Sequence, residues 1–153
     1  MRAFRSFLCA FQGIGVGIRQ ERHVRIHLTA GVYAVLLSLF FSFSPTDYAV
    51  LFLVIGVVIA LELVNTAIER VADEISKEYR PTIKVIKDTA AGAVLVAAIA
   101  ALAIAAALFW EPSGWERLAA FFAGQPYLLV IPASLLVGGA LFVFGGGTSN
   151  RRK

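Results

Sequence analysis

Glu62, Asn65, Thr66, Glu69 and Asp73 recur at intervals of three and four residues in an otherwise hydrophobic chain. On a helix advancing about 100° per residue they share one stripe roughly 100° wide. Glu62 directly follows the uncharged stretch from Tyr48 to Leu61, which places it at membrane depth if that stretch spans a bilayer. A carboxylate there costs about 2.5–3.5 kcal/mol on insertion scales and marks a functional site by default. The alternative use of the stripe is a polar seam that hydrogen-bonds to another helix. Carboxylates at a membrane surface are donors for a hard cation, and Mg²⁺ in particular takes one or two of them and completes its octahedron with water and phosphate oxygens. Basic residues suited to a phosphate follow in Arg80, Lys84 and Lys87. Lys87 falls at headgroup level, where a cation meets phosphate. Lys77 and Lys84 read as solvated charges. Asp88 reads either as a helix cap or as part of the site.

Glu21 is the one acid among the arginines of the N-terminal segment. It is open to two readings, a weak surface ion pair or a second carboxylate for the same metal. His23 and His27 have the i, i+4 spacing of a zinc pair but lack the glutamate of H-E-x-x-H. The glycines at 13, 15 and 17 miss the spacing of a dinucleotide loop, and Gly145-Gly-Gly-Thr148 lacks the lysine of a phosphate loop. Cys9 is the only cysteine, which excludes an internal disulfide and a C-x-x-C site. It reads as a small apolar residue packed on a helix.

The elements that hold these residues follow from composition. Of 153 residues, 59% are apolar and 16% charged, against 45–50% and about 25% in soluble domains. A soluble enzyme, a disordered tail and a disulfide scaffold are excluded. Four stretches approach the 17–25 residues that cross a hydrocarbon core of about 30 Å. They run over about 28–44, 48–68, 89–110 and 127–144. Ser44-Pro45-Thr46-Asp47, Pro112-Ser-Gly114 and Gly124-Gln-Pro126 mark the reversals. Phe4, Phe7, Leu8, Phe11, Ile14 and Ile18 align on one face, so residues 1–26 form an amphipathic surface helix. The three glycines weaken it after its first turns. Every Lys and Arg except Arg117 falls on one side of the four spans, including Arg151, Arg152 and Lys153 in the tail. Both termini are therefore expected on the cytoplasmic side. The fold class is an all-α membrane protein with a surface helix, three core spans and a fourth, additional span.

Glu62-Leu-Val-Asn65-Thr-Ala-Ile-Glu69, the later Asp73 and Glu78-Tyr79, and Lys87-Asp88-Thr-Ala-Ala-Gly92-Ala-Val together resemble the signature of the small prokaryotic diacylglycerol kinases, a family that includes undecaprenol kinases. Phe7-x-x-Ala10-Phe11-x-Gly13 and Glu21-Arg22-x-x-Arg25-Ile-His27 resemble the N-terminal part of the same family. The likeness covers about residues 1–110, and residues 111–153 form an extension. It implies a homotrimeric, multi-pass lipid kinase of the bacterial inner membrane, with active sites shared between subunits and with ATP and Mg²⁺ as phosphoryl donor and metal. Carried over by position, Glu62 is the general base and Asn65 its helper. Glu21 and Glu69 hold the metal, and both belong to the cofactor-binding set. That set also contains Glu78, Tyr79, Arg80, Lys87 and Asp88, with Arg2 near nucleotide and lipid. The substrate is undecaprenol or diacylglycerol, with the motifs closer to the undecaprenol kinases. His23 stands where many members have Asn. The reading from a different class is a proton or cation conductor, or an assembly subunit, built on the same carboxylate stripe. Such a protein has no need of Lys87, Asp88 and Glu21 together.

Overall fold

A computed structural model describes residues 2–76 and 78–145, with side chains from Phe4 onward. Six α-helices follow one another: α1 (Arg2–Gln20), α2 (Arg22–Ser38), α3 (Pro45–Ile75), α4 (Pro81–Leu108), α5 (Pro112–Gly124) and α6 (Val130–Gly145). A 3-10 turn at Pro126–Leu129 leads into α6. The helix α3, the stretch from Pro81 to Leu108 and the stretch from Pro126 to Gly145 are each long and apolar enough to cross a membrane.

The surface segment differs from the expected single helix over 1–26. Glu21 is extended (φ −103°, ψ 118°) and separates α1 from α2, so residues 22–26 already belong to the next helix. Gly13, Gly15 and Gly17 do not end α1, which continues to Gln20. The faces of Phe4, Phe7 and Phe11 are open, as expected of an amphipathic helix lying on a membrane. Cys9 is exposed on α1 rather than packed.

The first expected span, 28–44, is helical only as far as Ser38, and Leu39–Ser42 form turns. At about 1.5 Å per residue the 17 residues of α2 still reach roughly 25 Å. Its start lies beside Val143 near the end of α6, through Arg25. The turn after it meets Arg117, which donates to the carbonyl of Phe40 at 2.7 Å. Ser44-Pro45 is the start of α3 and not the middle of a turn. Ser44 caps the helix, and the side chains of Ser44 and Asp47 bond each other's backbone N–H in a capping box, with Pro45 at the first helical position.

The 31 residues of α3 reach about 46 Å, beyond a hydrocarbon core of about 30 Å. Glu69 and Asp73 lie on its last turns. The return helix α4 packs along α3 over most of its length. It begins at Pro81 with Arg80 at the cap position, which corrects the reading of Asp88 as a cap. Asp88 lies two turns inside α4, where it pairs with Lys84. Leu51, Val24 and Ser38 are the largest fully buried side chains. Phe52, Leu53, Leu95, Val96, Ile99 and Leu102 are exposed on α3 and α4, surface that suits lipid or a neighbouring helix and not water. Gly31 lets α2 approach α3, because a Cβ there would meet Ile55 at 2.9 Å.

The fourth span is present as α6 and lies against α2. Arg25, only 3% exposed, donates to the carbonyls of Ile18 and Arg19 at 3.0 and 3.1 Å and to that of Val143 at 3.3 and 3.1 Å. These carbonyls lie in the last turns of α1 and α6, where helices leave acceptors unpaired and the backbone dipoles favour a cation. A buried charge without partners is costly by several kcal/mol, and here two helix ends supply the compensation. The start of α2 and the ends of α1 and α6 therefore meet on one face of the bundle.

On the opposite face, α5 was not anticipated from the sequence. Phe40, Phe41 and Phe43 pack against Phe109, Trp115, Phe121 and Phe122 in edge and tilted contacts of 5.0–6.4 Å. Glu111 accepts from Ser42 N–H at 3.1 Å, from Arg117 at 3.0 Å and from Ser113. These bonds, that from Ser113 foremost, hold its carboxyl down to about 2.

Candidate active site

The α3 stripe emerges from the bundle on the face where α1, α2 and α6 meet. Glu62 is 5% exposed, and His27 Nε2 on α2 lies 3.1 Å from its Oε1. One turn on, Asn65 Nδ2 donates to Glu69 Oε1 at 3.0 Å. That bond fixes the amide so that Asn65 Oδ1 is buried without a hydrogen-bond partner. Such an orphan is uncommon in folded proteins, where buried acceptors are nearly always paired. Thr66 is buried on the α1 side and lines a cavity of about 490 Å³ with Gly13, Gly17, Leu63 and Arg70. Arg70 leaves that cavity to meet Gln20 Oε1 at 2.7 Å and Glu21 Oε1 at 3.4 Å, so it ties α3 to the corner between α1 and α2.

A second, apolar crevice of about 420 Å³ runs between α2, α3 and α4, lined by Ala30, Gly31, Leu51, Ile55, Val58 and Ala101. His27 is on its wall. The His27–Glu62 pair therefore joins hydrocarbon-lined space to the polar stripe.

Lys87, half-buried on α4, ion-pairs with Asp73 on α3. This brings the two halves of the sequence signature together across the α3–α4 turn. Pairs that water reaches in this way are worth about 0–1 kcal/mol, so the contact is weak enough to exchange. Glu78, Tyr79 and Arg80 are exposed in the linker before α4, and Ser76 Oγ accepts from the backbone N–H of Glu78 at 3.2 Å. Among the described residues none of Glu78, Tyr79 and Arg80 bonds to Glu62. The side chain of Arg2 and all of Lys77, Arg151, Arg152 and Lys153 lie outside the described residues.

Among the described residues no three His, Cys, Asp or Glu side chains converge as a metal cluster, and His27 faces Glu62 rather than a partner His23. The donor set still suits a hard cation. Glu69, Glu21 and Asn65 Oδ1 each offer an oxygen, and Mg²⁺ needs only one or two protein carboxylates when phosphate and water fill the rest. Sequence reasoning missed two members of this arrangement. His27 carried a signal as half of a zinc pair and as the last residue of the N-terminal family motif, with no role in the site, and Arg70 registered only as a charge marking topology.

A carboxylate buried beside an apolar crevice, a surface lysine and a set of oxygen donors is the equipment of a phosphotransferase acting on a membrane-embedded alcohol. Comparison with known proteins agrees. Residues 8–109 match the family model of prokaryotic diacylglycerol kinase. The chain is 37% identical over 108 residues to an undecaprenol kinase of Bacillus subtilis, covering 71% of this chain and 88% of the relative. It is 38% identical over 108 residues to a diacylglycerol kinase of Synechocystis sp., covering 70% of this chain and 62% of that relative. No solved structure gave a significant match. The chain belongs to the prokaryotic diacylglycerol kinase family and is an integral membrane lipid kinase that uses ATP. The conductor reading finds no support.

Proposed function

We propose that the protein phosphorylates the hydroxyl of undecaprenol at the cytoplasmic face of the bacterial inner membrane, with both termini on that face. The observation that carries the chemistry is Glu62, buried and paired with His27, which itself lines the apolar crevice. A lipid chain lying in the crevice would deliver its hydroxyl to this carboxylate. Glu62 accepts the hydroxyl proton, the oxygen attacks the γ-phosphorus of ATP in line, and the bond to the β–γ bridging oxygen breaks to release ADP. Lys87 leaves Asp73 to offset charge on the phosphoryl oxygens. Glu21, Glu69 and Asn65 Oδ1 would hold Mg²⁺, which when bound neutralises phosphate charge. Asn65 also orients Glu69. Glu78, Tyr79, Arg80 and Asp88 face the nucleotide, with Arg2 completing that set from the start of α1.

The substrate assignment is supported by the undecaprenol kinase relative, of which the chain covers 88%, and by the Glu21-Arg22-x-x-Arg25-Ile-His27 motif. Residues 1–110 are the kinase domain and residues 111–153 an added segment. The assembly is a homotrimer with sites shared between subunits, a reading that suits the exposed apolar faces of α3 and α4. The test is γ-labelled ATP with purified protein and, in parallel, undecaprenol and diacylglycerol in mixed micelles. Label in undecaprenol at a rate well above that in diacylglycerol is expected, and the reverse order overturns the substrate. Mixing the impaired Glu62→Gln and Lys87→Ala subunits should restore activity above that of either variant alone, and no recovery from a demonstrably mixed oligomer contradicts a site that takes Glu62 and Lys87 from different subunits.

A further inference from the structure

Arg25 has no carboxylate partner among the described residues, although it is almost completely buried. Two helix ends share its guanidinium. Ile18 and Arg19 carbonyls of α1 take Nη1, and the Val143 carbonyl of α6 takes Nε and Nη2. Beside it the Arg22 guanidinium lies 4.2 Å from the centre of the Phe144 ring. Further along α2, Tyr33 donates to the Leu135 carbonyl at 2.5 Å. A Cβ on Gly139 would collide with Tyr33 Oη and touch Thr29. Leu135, Gly139 and Val143 are four residues apart and form one face of α6. This contact line ends at the corner where Glu21 breaks the chain between α1 and α2. The corner is itself held by Glu21 N–H donating to Gly17 at 2.8 Å and by Arg25 N–H donating to Glu21 at 3.4 Å.

We propose that α6, which lies beyond the family-matched residues 8–109, is a positioning element for the kinase site. Through Arg25 it fixes the corner between α1 and α2 and so holds Glu21 toward Arg70 and the α3 stripe. Arg25 is the positioning residue of this coupling and touches no substrate. The consequence for metal use rests on Glu21 being a metal carboxylate. The coupling of α6 to the corner does not.

The test uses the full chain in lipid nanodiscs with two readouts, amide hydrogen exchange and the Mg²⁺ dependence of turnover. Gly139→Leu acts at a distance by wedging α6 away from Tyr33. Tyr33→Phe combined with Phe144→Ala weakens the same contact mildly if the first variant folds poorly. Exchange at residues 18–25 should quicken by about tenfold, and half-maximal rate should need about fivefold more Mg²⁺ with kcat within about twofold. Arg25→Gln should reproduce both effects, and Arg25→Lys, which keeps the charge but not the fork, should recover them only in part. Faster exchange in α6 with no change at residues 18–25 overturns the coupling. Faster exchange at the corner without a Mg²⁺ shift overturns the link to the site, provided Glu21→Gln does shift it. If Glu21→Gln leaves Mg²⁺ dependence unchanged, the metal role of Glu21 fails and the exchange result alone decides the coupling.

Discussion

The two faces of the bundle carry similar side chains and arrange them in opposite ways. On one face Glu111 gathers Ser42, Ser113 and Arg117 around its carboxylate, and Arg117 spends its remaining donors on the Phe40 carbonyl and on the hydroxyls of Ser42 and Ser113. On the other face, among the described residues, Glu62 is buried with His27 as its close polar neighbour, Asn65 Oδ1 has no hydrogen-bond partner, and Lys87 is held by an exposed Asp73. The first cluster is saturated and closes a turn. The second leaves acceptors and a cation available, which is the local inconsistency that functional sites show and structural ones do not. Polar residues in a membrane protein are therefore told apart by their unspent hydrogen bonds more than by their type.

Removing one cation from each face tests this contrast most strongly. Lys87→Ala should lower kcat/KM for ATP by about 10²-fold, the scale of losing one charge-stabilising group, while steady-state assays on Arg117→Ala stay within about twofold of the parent. Equal losses in the two variants would erase the distinction. Glu69→Ala should raise the Mg²⁺ concentration for half-maximal turnover by about tenfold or more, read from a magnesium titration at fixed ATP. Arg117→Ala should instead cost about 1 kcal/mol of stability, seen as a lower unfolding midpoint in detergent. The smallest effect concerns acid. Glu111 has its carboxyl lowered from 4.5 to about 2 by its hydrogen-bond donors, so its contribution to stability is complete above pH 4.5 and fades as pH falls toward 2. Melting curves of Glu111→Gln across that range should lose this part of the acid sensitivity.

Much of this contrast was legible in the sequence on one side and little on the other. The stripe from Glu62 to Asp73 follows from helical arithmetic, because residues on one helix share a face whatever surrounds them. The third and fourth spans follow from uninterrupted apolar runs, and the second from a run that has to continue through Glu62. The ends of α3 and α4 were harder, since amphipathic turns continue past the bilayer without a change of helical signal. Pro81 at the first position of α4 was a better start signal than Asp88, because its fixed φ and missing N–H suit only that place. The break at Glu21 has no glycine or proline to announce it. His27 meeting Glu62 and Arg25 receiving the ends of α1 and α6 are contacts between helices, and an arginine near a membrane reads first as a marker of topology. The α5 cluster was hidden for the same reason, as its aromatic residues pack on Phe40 and Phe41 some seventy to eighty positions away.

The central claim is that Glu62 takes the proton from the lipid hydroxyl as phosphate arrives. Single-turnover transfer of labelled γ-phosphate to undecaprenol, measured for the wild type and Glu62→Gln at saturating ATP alongside nucleotide binding, tests it most directly. The account predicts a loss of about 10³-fold or more in the transfer rate with nucleotide affinity unchanged. Transfer by Glu62→Gln at the wild-type rate would contradict it.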